Sequence, residues 1–441
     1  MDELKKLREK INCIDAQMAR LFEERMDLVE KVADLKKDAG IAVSDKEREE
    51  QVVSRGVELI EKEQFKDLYK EFIVKTIDLS VKYQQERLGK RTINYEDAYE
   101  EPFGQKCSES HVPQNVIIER EALSEVKKYF DLNRKVLVVT DKGVPADYAD
   151  QVCNAAKDSV LVVIEAGEAS KTLDNLRWLY EKMMENNFTR KDCIVAVGGG
   201  VVGDLAGLAA ATYMRGIDFY NIPTTLLAQV DASIGGKSAV NLAGIKNIVG
   251  SIRKPCGVLI DPAVLKTLDK RQLACGAAEI IKIAAVFDEG LFCEIEKNGI
   301  LGNLKYIEEI IRRAVKIKEE VVKNDESDRG VRRALNFGHT LGHGIENATG
   351  MFHGEAVALG MLPMCSEDVR ERIKKLLLKE CLPVKYHGDG NDGKKIIEAA
   401  AHDKKAQGDR IITVRVDKIG TFRFQDSSPE ELLEIFEEVF S

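Results

Sequence analysis

Short apolar runs rich in valine and isoleucine alternate with helical segments through the middle of this 441-residue chain. The clearest runs are 135–140, 160–164 and 193–197. Strands that alternate with helices form a parallel sheet with helices on both of its faces. The pattern therefore predicts an α/β domain in the middle of the chain.

The regions on either side of this alternation have a different composition. Residues 1–90 contain no proline, and Lys, Glu, Arg, Leu and Val recur at helical spacing, which predicts an all-α domain. Residues 91–114 show no period and are interpreted as a linker. The α/β domain then spans 115–261. The pattern returns to helices over 262–441, with one short strand at 410–416. We therefore expect a multi-domain protein with an all-α domain, an α/β domain and a second, all-helical domain.

Charge and composition narrow the function classes. Lys and Arg total 66 against 75 Asp and Glu, and the net charge of -9 disfavours nucleic-acid binding. The nine cysteines are scattered without a Cys-x-x-Cys pair, which is typical of reduced cytoplasmic thiols. The first residues lack the apolar core of a signal peptide, and no run reaches the roughly 18 apolar residues of a membrane helix. We expect a cytoplasmic protein that acts on small molecules, with no nucleic-acid or membrane partner.

One amphipathic stripe dominates the N-terminal region. Apolar residues recur at helical spacing from Leu4 to Leu35, which corresponds to a helix about 50 Å long. Residues 1–90 cannot cover a helix of that length alone, and a second copy of the chain is the simplest cover. We therefore predict a homodimer through this domain. Arg25 and Lys36 fall on one line of the helix, whereas Arg8 lies off that line and is better placed to serve a partner copy's pocket.

Polar residues of this region form a joint pattern. It consists of Leu7-Arg8-Glu9-Lys10-Ile11, Glu24-Arg25, Lys36, Asp45-x-x-Arg48-Glu49 and Ser80-x-x-x-Gln84. The pattern resembles the all-helical chorismate mutases over nearly all of residues 1–88. The resemblance implies rearrangement of chorismate to prephenate at a site lined by Arg8 (from the partner copy), Arg25, Lys36, Asp45, Arg48, Glu49, Ser80 and Gln84. That reaction needs arginines that clamp two carboxylates, and donors such as Lys36 and Gln84 at the ether oxygen.

A glycine-rich segment, 198–204, follows the third apolar run and opens a helical segment. Gly198-x-Gly200-x-x-Gly203 at such a turn brings backbone N–H groups and a helix N-terminus to a pyrophosphate, although tight strand–helix turns also use glycine. Asp218 stands where the usual ribose carboxylate would lie, in an unfavourable Gly-Ile-Asp-Phe context. We therefore expect a dinucleotide fold other than a strict Rossmann fingerprint.

Lysines next to glycines follow this segment. Two glycines precede Lys237, and Lys246-Asn247 follows nine residues later. This spacing indicates a compact cationic pocket for a phosphorylated or carboxylated small molecule. The alternative is a pair of surface lysines beside a flexible turn.

Histidines cluster late in the chain. Arg332, Asn336, His339 and His343 are spaced at 4, 3 and 4, so on a single helix they fall within about 60° of one face. A neutral histidine pair with a carboxylate and open positions is a catalytic zinc arrangement. Spacing alone nominates His339 and His343 as the pair, and the absence of His-Glu-x-x-His disfavours a protease.

An ordered set of motifs extends over residues 115–441. It comprises Gly167-Glu168-x-x-Lys171, the 198–204 segment, Tyr213-Met-Arg215-Gly, Asp231-x5-Lys237, Lys246-Asn247, Ala278-Glu279-x-x-Lys282 and Leu335-Asn336-x-Gly-His339-Thr-x-Gly-His343. The set resembles the 3-dehydroquinate synthases. The resemblance implies their fold, with an NAD-binding α/β domain over 115–261 and a helical metal- and substrate-binding domain over 262–441.

The same resemblance implies site residues. Zinc, or cobalt, would bind to Glu279, His339 and His353, with His343 beside the substrate instead of on the metal. NAD would contact Asp141, Glu168, Lys171, Gly199, Gly200, Val201, Asp204, Thr224, Thr225, Asp231, Lys237, Lys246 and Thr267. Substrate would contact Arg215, Asp231, Lys237, Lys246, Asn247, Lys282, Lys318, Arg332, Asn336, His343 and either Lys404 or Lys405.

The reaction that this resemblance implies is cyclisation of 3-deoxy-arabino-heptulosonate 7-phosphate to 3-dehydroquinate with loss of phosphate, NAD being regenerated. Lys237, Arg215 and Asn336 would hold the phosphate, and Arg332 the carboxylate. Two alternatives remain. The helical N-terminal domain could act mainly as a chorismate- or prephenate-sensing module, or the rest could be a metal-dependent alcohol dehydrogenase or another sugar-phosphate cyclase on the same fold.

Overall fold

The computed structural model describes most of the chain beyond residue 115 and parts of the region before it. The described residues are 18, 20–22, 24–32, 35–36, 46–60, 62–87, 116–302, 304–325, 330–387, 392–402 and 410–440. The chain forms two compact units, Met1–Asp97 and Ala98–Ser441. The linker predicted at 91–114 lies outside the described residues, and the boundary at 261/262 within the second unit stays a prediction.

The described part of the first unit is helical. The described residues between 18 and 36 are all helical, and two further helices follow, α1 (Lys46–Glu58) and α2 (Lys66–Arg87). These elements agree with the predicted all-α domain. Several apolar side chains of the predicted stripe are exposed within this chain, namely Met18, Leu21, Leu28, Val32 and Leu35.

A six-stranded sheet forms the centre of the second unit. Its strands are β1 (Val116–Ile118), β2 (Lys135–Asp141), β3 (Asp158–Ile164), β4 (Cys193–Gly198), β5 (Asp218–Pro223) and β8 (Gly257–Ile260). Their order is β1-β8-β5-β4-β2-β3, and every neighbouring pair is parallel. The three apolar runs read from the sequence are β2, β3 and β4, so the prediction of a parallel sheet is confirmed.

Helices cover both faces of this sheet. They include α3 (Ala146–Ala155), α4 (Leu173–Glu185) and α5 (Gly200–Thr212). Alternate residues of β2 pack into different cores, with Leu137 and Val139 in one cluster and Val136 and Val138 in the other. Side chains of a strand point alternately to its two faces, so two separate cores require two covered faces.

A helical region packs against the β1–β8 edge of the sheet. It comprises α6 (Lys270–Phe287), α7 (Glu289–Asn298), α8 (Leu304–Asn324), α9 (His339–Thr349), α10 (His353–Met361), α11 (Glu367–Lys379), α12 (Asp392–His402) and α13 (Pro429–Phe440). Val116 and Ile260 of the sheet share a core cluster with these helices. Across the described ranges, no helix has both the length and the apolar content that a membrane crossing demands.

Two antiparallel hairpins complete the second unit. The strands β6 (Lys237–Leu242) and β7 (Ile245–Ile252) form one of them, which the sequence did not reveal. The other pairs β9 (Ile411–Arg415) with β10 (Arg423–Ser427). The short strand predicted at 410–416 is therefore present, but its partner β10 means that the C-terminal region is not purely helical.

Candidate active site

Three side chains that can bind a metal ion meet in the second unit. Glu279 lies on α6, and His339 and His353 are the first residues of α9 and α10. The Nε2 atoms of His339 and His353 lie 3.7 and 3.4 Å from Glu279 Oε1. One potential ligand atom of each residue lies within 4.8 Å of the others. Two histidines and one carboxylate with open positions form the donor set of a catalytic zinc site.

The environment of Glu279 fits a cation. Its side chain is fully buried, and within the described part of the chain Oε1 accepts no hydrogen bond. Oε2 lies 2.5 Å from Nζ of the buried Lys282. Burial alone would raise the pKa of Glu279, but the charges of Lys282 and the two histidines outweigh it and hold that pKa well below its usual range. An ionised carboxylate oxygen without a donor, faced by two imidazoles, suits a divalent metal.

The outer nitrogens of the two histidines face acceptors. His339 Nδ1 lies 3.3 Å from the carbonyl oxygen of Phe337, and His353 Nδ1 lies 3.2 Å from Glu346 Oε2. A proton on each Nδ1 satisfies these acceptors and directs both Nε2 atoms to Glu279. Burial alone would lower the pKa of His353, but the nearby carboxylates of Glu279 and Glu346 outweigh burial and raise that pKa to about 9. A metal that binds at this site would displace the Nε2 proton.

A helix break positions the two halves of the predicted histidine helix. Instead of one helix, the chain forms a short 3-10 helix, Val331–Asn336, and then α9. Gly338 between them has a φ of 77°, and a Cβ there would lie 2.6 Å from Met361 Cγ and 2.9 Å from the carbonyl oxygen of Val357. The expectation of four side chains on one continuous helical face is therefore wrong. The break lets α9 pack closely against α10, which carries His353.

Six of the predicted substrate residues line one cavity beside this triad, namely Asp231, Lys237, Lys282, Lys318, Arg332 and Asn336. It has a volume of about 190 Å³. Its lining includes the cations Lys237, Lys282, Lys318 and Arg332, together with Asp204, Asp231, Asn336 and His339. The two halves of the broken helix thus still reach one site. Four cationic side chains suit a substrate that carries phosphate and carboxylate groups.

Buried charged side chains link the cavity wall to Glu279, His339 and His353, which we call the metal-type triad. Lys318 Nζ donates to Asp231 Oδ1 at 2.7 Å, and Lys282 Nζ lies 3.8 Å from the same oxygen. Burial would raise the pKa of Asp231, but the two lysine charges lower it below its usual value. Burial lowers the pKa of Lys318 despite its pairing with Asp231. This group therefore combines an ionised carboxylate with an amine that gives up its proton more readily than an ordinary lysine.

Part of the predicted NAD site lies where the sheet strands end. Asp141 ends β2, Gly198 ends β4 and Thr224 follows β5, so these residues share the carboxyl edge of a parallel sheet, where such folds bind ligands. Gly199 and Gly200 form the turn into α5, with Val201 in its first turn. Lys171 and Asp204 form a 2.5 Å ion pair beside it. The strands, the turn and the helix N-terminus can hold a dinucleotide.

Three other predicted NAD residues make local contacts. Thr225 Oγ1 accepts the N–H of Ala228 at 3.1 Å, and a Cβ on Gly199 would lie 3.1 Å from Thr225 Cγ2. The hydroxyl groups of Thr267 and Tyr148 lie 3.1 Å apart. Glu168 Oε1 accepts from Asn241 on β6 at 2.8 Å. These contacts position the side chains without bringing all of them into the cavity.

Asp218 is not placed to bind a ribose. It begins β5, at the opposite end of the strand from Thr224, and pairs with Arg134 at 2.6 Å. The amino end of a parallel strand faces away from the ligand edge of the sheet. The expectation that this chain departs from a strict Rossmann fingerprint agrees with that position.

Several predicted residues stand apart from the cavity lining. Lys246 and Asn247 lie on the β6–β7 hairpin, and Lys246 Nζ donates to Glu346 Oε1 at 2.6 Å. Arg215 ends a turn in which Met214 and Arg215 have φ angles of 48° and 69°, and it does not line the described cavity. The ring of His343 lies 5.4 Å from that of His339, but His343 does not belong to the ligand triad. Lys404 and Lys405 lie outside the described residues.

The first unit brings together part of its predicted site. Arg25 Nη1 donates to Ser80 Oγ on α2, and Ser80 Oγ also donates to the carbonyl oxygen of Thr76 at 2.7 Å. Gln84, one turn further along α2, is buried, and its Oε1 has no hydrogen-bond partner among the described residues. Lys36 is half-buried. Arg8, Asp45 and the side chain of Glu49 lie outside the described residues, and Arg48 is exposed.

Two residues near the site were not identified from the sequence. Glu346 contacts His353 and Lys246, and Asn241 contacts Glu168. Glu346 lies seven residues after His339, and this spacing places the two about 20° apart on a helix. That periodicity was a usable signal for Glu346. Asn241 offered none, because its contacts depend on the undetected hairpin.

Comparison with known families agrees with both regions. The family model described as "3-dehydroquinate synthase N-terminal" matches residues 161–275. The model described as "3-dehydroquinate synthase C-terminal" matches residues 276–406. The model for chorismate mutase type II matches residues 7–85. The range 276–406 contains the metal-type triad, and the range 7–85 contains the Arg25–Ser80 pair.

Similar proteins extend this agreement. The 3-dehydroquinate synthase of Lactococcus lactis subsp. cremoris (strain MG1363) is 41% identical over 344 residues, covering 73% of this chain and 96% of the relative. That of Enterococcus faecalis (strain ATCC 47077 / OG1RF) is 42% identical over 316 residues, covering 68% and 88%.

Solved structures show the same fold. A 2-deoxy-scyllo-inosose synthase complexed with carbaglucose-6-phosphate, NAD+ and Co2+ is 26% identical with a TM-score of 0.66, covering 74% of this chain and 96% of the other. The 2-epi-5-epi-valiolone synthase ValA from Streptomyces hygroscopicus subsp. jinggangensis 5008, with NAD+ and Zn2+, is 28% identical with a TM-score of 0.67, covering 75% and 98%. The chain belongs to the 3-dehydroquinate synthase family and carries a chorismate mutase type II domain at its N-terminal end.

Proposed function

We propose that residues 115–441 convert 3-deoxy-arabino-heptulosonate 7-phosphate to 3-dehydroquinate and phosphate, using NAD and a divalent metal, zinc or cobalt. The observation that carries this proposal is the Glu279–His339–His353 triad at the wall of a cationic cavity. His339 belongs to both the triad and the cavity lining. A metal and an anionic substrate would therefore share one cavity.

The charged and polar residues of the cavity have different proposed roles. A divalent metal supplies Lewis acidity toward vicinal hydroxyl groups, and NAD supplies a reversible hydride acceptor. Lys237 and Asn336 are assigned to the phosphate, and Arg332 to the carboxylate. Asp231 and Lys318 provide a hydrogen-bonded pair of proton acceptor and donor at the same wall. The part of Arg215 in phosphate binding, of His343 beside the substrate and of Lys404 or Lys405 stays a prediction.

Relatives with other substrates provide the competing hypothesis. The two synthases solved with NAD+ and Co2+ or Zn2+ support the choice of cofactors, but they are named for other products, 2-deoxy-scyllo-inosose and 2-epi-5-epi-valiolone. Their identities of 26% and 28% are well below the 41% of the Lactococcus lactis 3-dehydroquinate synthase. The combined presence of Lys237 and Arg332 also favours a substrate with both a phosphate and a carboxylate.

Phosphate release tests this proposal directly. Full-length protein loaded with zinc or cobalt and supplied with NAD should release phosphate from the heptulosonate phosphate. A chelator should stop the release, and added metal should restore it. Glucose 6-phosphate, which lacks the carboxylate, is the matched negative substrate. Release from glucose 6-phosphate alone would replace the proposal with another sugar-phosphate cyclase.

We also propose that the first unit rearranges chorismate to prephenate. The supporting observation is the Arg25–Ser80 contact next to the buried Gln84, because an anchored arginine can clamp a carboxylate and a buried amide can donate to the ether oxygen. The alternative is a unit that binds chorismate or prephenate mainly as a regulatory signal.

Substitutions of two lysines in the helical region between residues 18 and 36 test this activity. Lys36→Ala should abolish prephenate formation and leave phosphate release by the second unit intact. Lys31→Ala, at an exposed position of the same helix, is the control and should retain both activities. Prephenate formation that survives Lys36→Ala would contradict a catalytic role for this lysine.

The proposal also includes a homodimer and a cytoplasmic location. The exposed stripe of Met18, Leu21, Leu28, Val32 and Leu35 supports a homodimer through the first unit. The seven described cysteines carry free thiols, which supports a reducing cytoplasm. Sedimentation equilibrium of the full chain tests the dimer, and a monomer at micromolar concentration would contradict it.

A further inference from the structure

Glu346 on α9 uses its two carboxylate oxygens for different partners. Oε2 accepts from His353 Nδ1 at 3.2 Å, and Oε1 accepts from Lys246 Nζ at 2.6 Å. The side chain of Glu346 is 14% exposed, so both contacts are largely shielded from water. One carboxylate therefore touches a residue of the metal-type triad on α10 and a residue of the β6–β7 hairpin.

The contact with His353 determines which nitrogen faces the triad. Because Nδ1 donates to Glu346, Nε2 is the nitrogen that points to Glu279, 3.4 Å from Oε1. A carboxylate on the far nitrogen of a metal-binding imidazole holds the ring orientation and increases its basicity. His339 differs, because its Nδ1 faces the weaker, neutral carbonyl oxygen of Phe337. Within the described residues, Glu346 is thus the charged group behind the triad's histidines.

The contact with Lys246 ties down the hairpin. The exposed apolar residues Ile245 and Ile248 flank this lysine, so its own surroundings provide little packing. At the other side of the hairpin, Asn241 Nδ2 donates to Glu168 at 2.8 Å and Asn241 Oδ1 accepts the N–H of Asn247 at 2.9 Å. Lys246 and Asn247 are therefore held between two anchors, Glu346 and Asn241.

We propose that Glu346 is a positioning residue that sets, through its two oxygens, both the orientation of His353 in the triad and the position of Lys246, a predicted substrate residue on the β6–β7 hairpin. This inference rests on the proposed synthase function. It adds a connection between metal affinity and substrate binding that runs through a single side chain. Glu346 is not among the metal, NAD or substrate residues that the family resemblance implies.

Zinc affinity measured without turnover is the first test. Full-length apo protein is titrated with Zn2+ in competition with a chromophoric chelator. Glu346→Ala should weaken zinc binding by about 10- to 100-fold, the range typical of lost partners behind metal-bound histidines. Glu398→Ala removes an exposed glutamate of the neighbouring α12 and should leave zinc affinity at the wild-type value. Equal zinc affinity of Glu346→Ala and wild type would overturn the proposal.

The hairpin arm is tested by separating metal binding from substrate binding. Asn241→Ala removes the anchor to Asn247 together with the contact to Glu168, so at saturating NAD it should raise the KM for the heptulosonate phosphate without changing zinc affinity. Glu346→Ala should raise that KM and also weaken zinc binding. A rise in KM for Asn241→Ala but not for zinc-saturated Glu346→Ala would remove Lys246 from the proposal.

Two further variants keep the test decisive if Glu346→Ala does not fold. Glu346→Gln retains one acceptor oxygen and loses the charge, so it should weaken zinc binding less than tenfold while raising KM. Lys246→Met should leave zinc affinity unchanged. Wild type that binds neither zinc nor cobalt would end the proposed function itself. Zinc-binding wild type with an unaffected Glu346→Gln in both measurements would end only this inference.

Discussion

At Glu279, burial and charge act in opposite directions. The side chain has no exposed surface, and burial alone would favour its neutral form. Lys282, itself buried, supplies the nearest compensating charge at 2.5 Å. A buried pair of this kind is costly to break, because the remaining partner keeps its charge without a counterion. The pair therefore keeps Glu279 ionised inside the protein, with Oε1 directed toward His339 and His353.

Glu279→Gln should remove metal binding and activity together. The substitution keeps the shape but removes the charge that a divalent cation needs, so zinc affinity should fall more than about 100-fold. The unfolding free energy should also fall, by about 3 kcal/mol, because Lys282 loses its closest partner. Chelator competition and thermal melting measure the two effects.

Glu355→Gln is the control for that substitution. Glu355 follows His353 by two residues and pairs with Arg271, whose side chain is 56% exposed. The Glu355 side chain is only 12% exposed, but its partner reaches solvent, so losing the pair should cost about 1 kcal/mol and leave zinc affinity unchanged. Unchanged zinc affinity in Glu279→Gln would contradict the assignment of Glu279 as a ligand.

At the scale of elements, the site depends on close helix packing. Helices α9 and α10 approach where glycines replace side chains. A Cβ on Gly360 would lie 2.1 Å from the carbonyl oxygen of Gly338, and one on Gly342 would lie 3.1 Å from Val357 Cα. This approach brings the first residues of the two helices, His339 and His353, to a ring separation of 5.1 Å.

Gly338→Ala should damage both stability and metal binding. A left-handed alanine costs about 1–2 kcal/mol wherever it occurs. At Gly338 the new Cβ would also collide with Met361 and the Val357 carbonyl. The expected result is a lower melting temperature together with weaker zinc binding, because His339 follows directly.

Gly350→Ala separates these two causes. Gly350 has a φ of 69°, close to the 77° of Gly338, but a Cβ there would have no atom within 4 Å. It should therefore show only the left-handed cost and retain wild-type zinc affinity. Equal behaviour of the two variants would show that packing between α9 and α10 does not position His339.

Helix α8 carries a pH-sensitive carboxyl group, Glu319. Burial, with a smaller contribution from the charge of Glu320, raises its pKa from 4.5 to about 7. The folded state thus binds a proton more tightly than the unfolded state. The stability from this group is full below pH about 4.5 and is lost as the pH rises through about 7.

Glu319→Gln should remove that pH dependence. The variant should match wild type near pH 4.5 and be more stable than wild type above pH 7, because glutamine needs no proton to stay neutral. Melting temperatures of both proteins across this range provide the measurement. A constant difference between the two proteins at every pH would contradict the raised pKa.

For the whole molecule, the two compact units carry separate sets of site residues. The second unit contains the triad and the cavity that it borders, and the first contains the Arg25–Ser80 pair. Separate sites make independent catalysis the expected behaviour. The regulatory alternative instead requires that a ligand of the first unit change the rate of the second.

Saturating prephenate should leave the rate of phosphate release unchanged. The measurement compares initial rates of full-length, metal-loaded protein with NAD in the presence and absence of prephenate. Lys36→Ala, assayed in parallel, shows whether any response comes from the first unit. A rate change that this variant abolishes would favour the sensing module over two independent catalysts.

Much of the architecture was accessible from local patterns. The strands β2, β3 and β4 were visible because fully buried parallel strands are continuous apolar runs. The β6–β7 hairpin was not visible, because Ile245, Ile248 and Ile252 of β7 are exposed and no residue of that strand is buried. The helix break at Gly338 was also missed, because the spacing of polar residues over 332–343 fits one continuous helix.

The sequence by itself determined the types of element, the parallel sheet and the residue types available for metal, phosphate and carboxylate binding. These properties follow from periodicity and side-chain chemistry, which are local. Spacing alone paired His339 with His343, and the ligand set Glu279, His339 and His353 came only from the family resemblance. The tertiary structure brings those three side chains together, and it alone placed Glu346 behind His353. Those choices depend on how α6, α9 and α10 pack, and packing between distant segments leaves no local period to read.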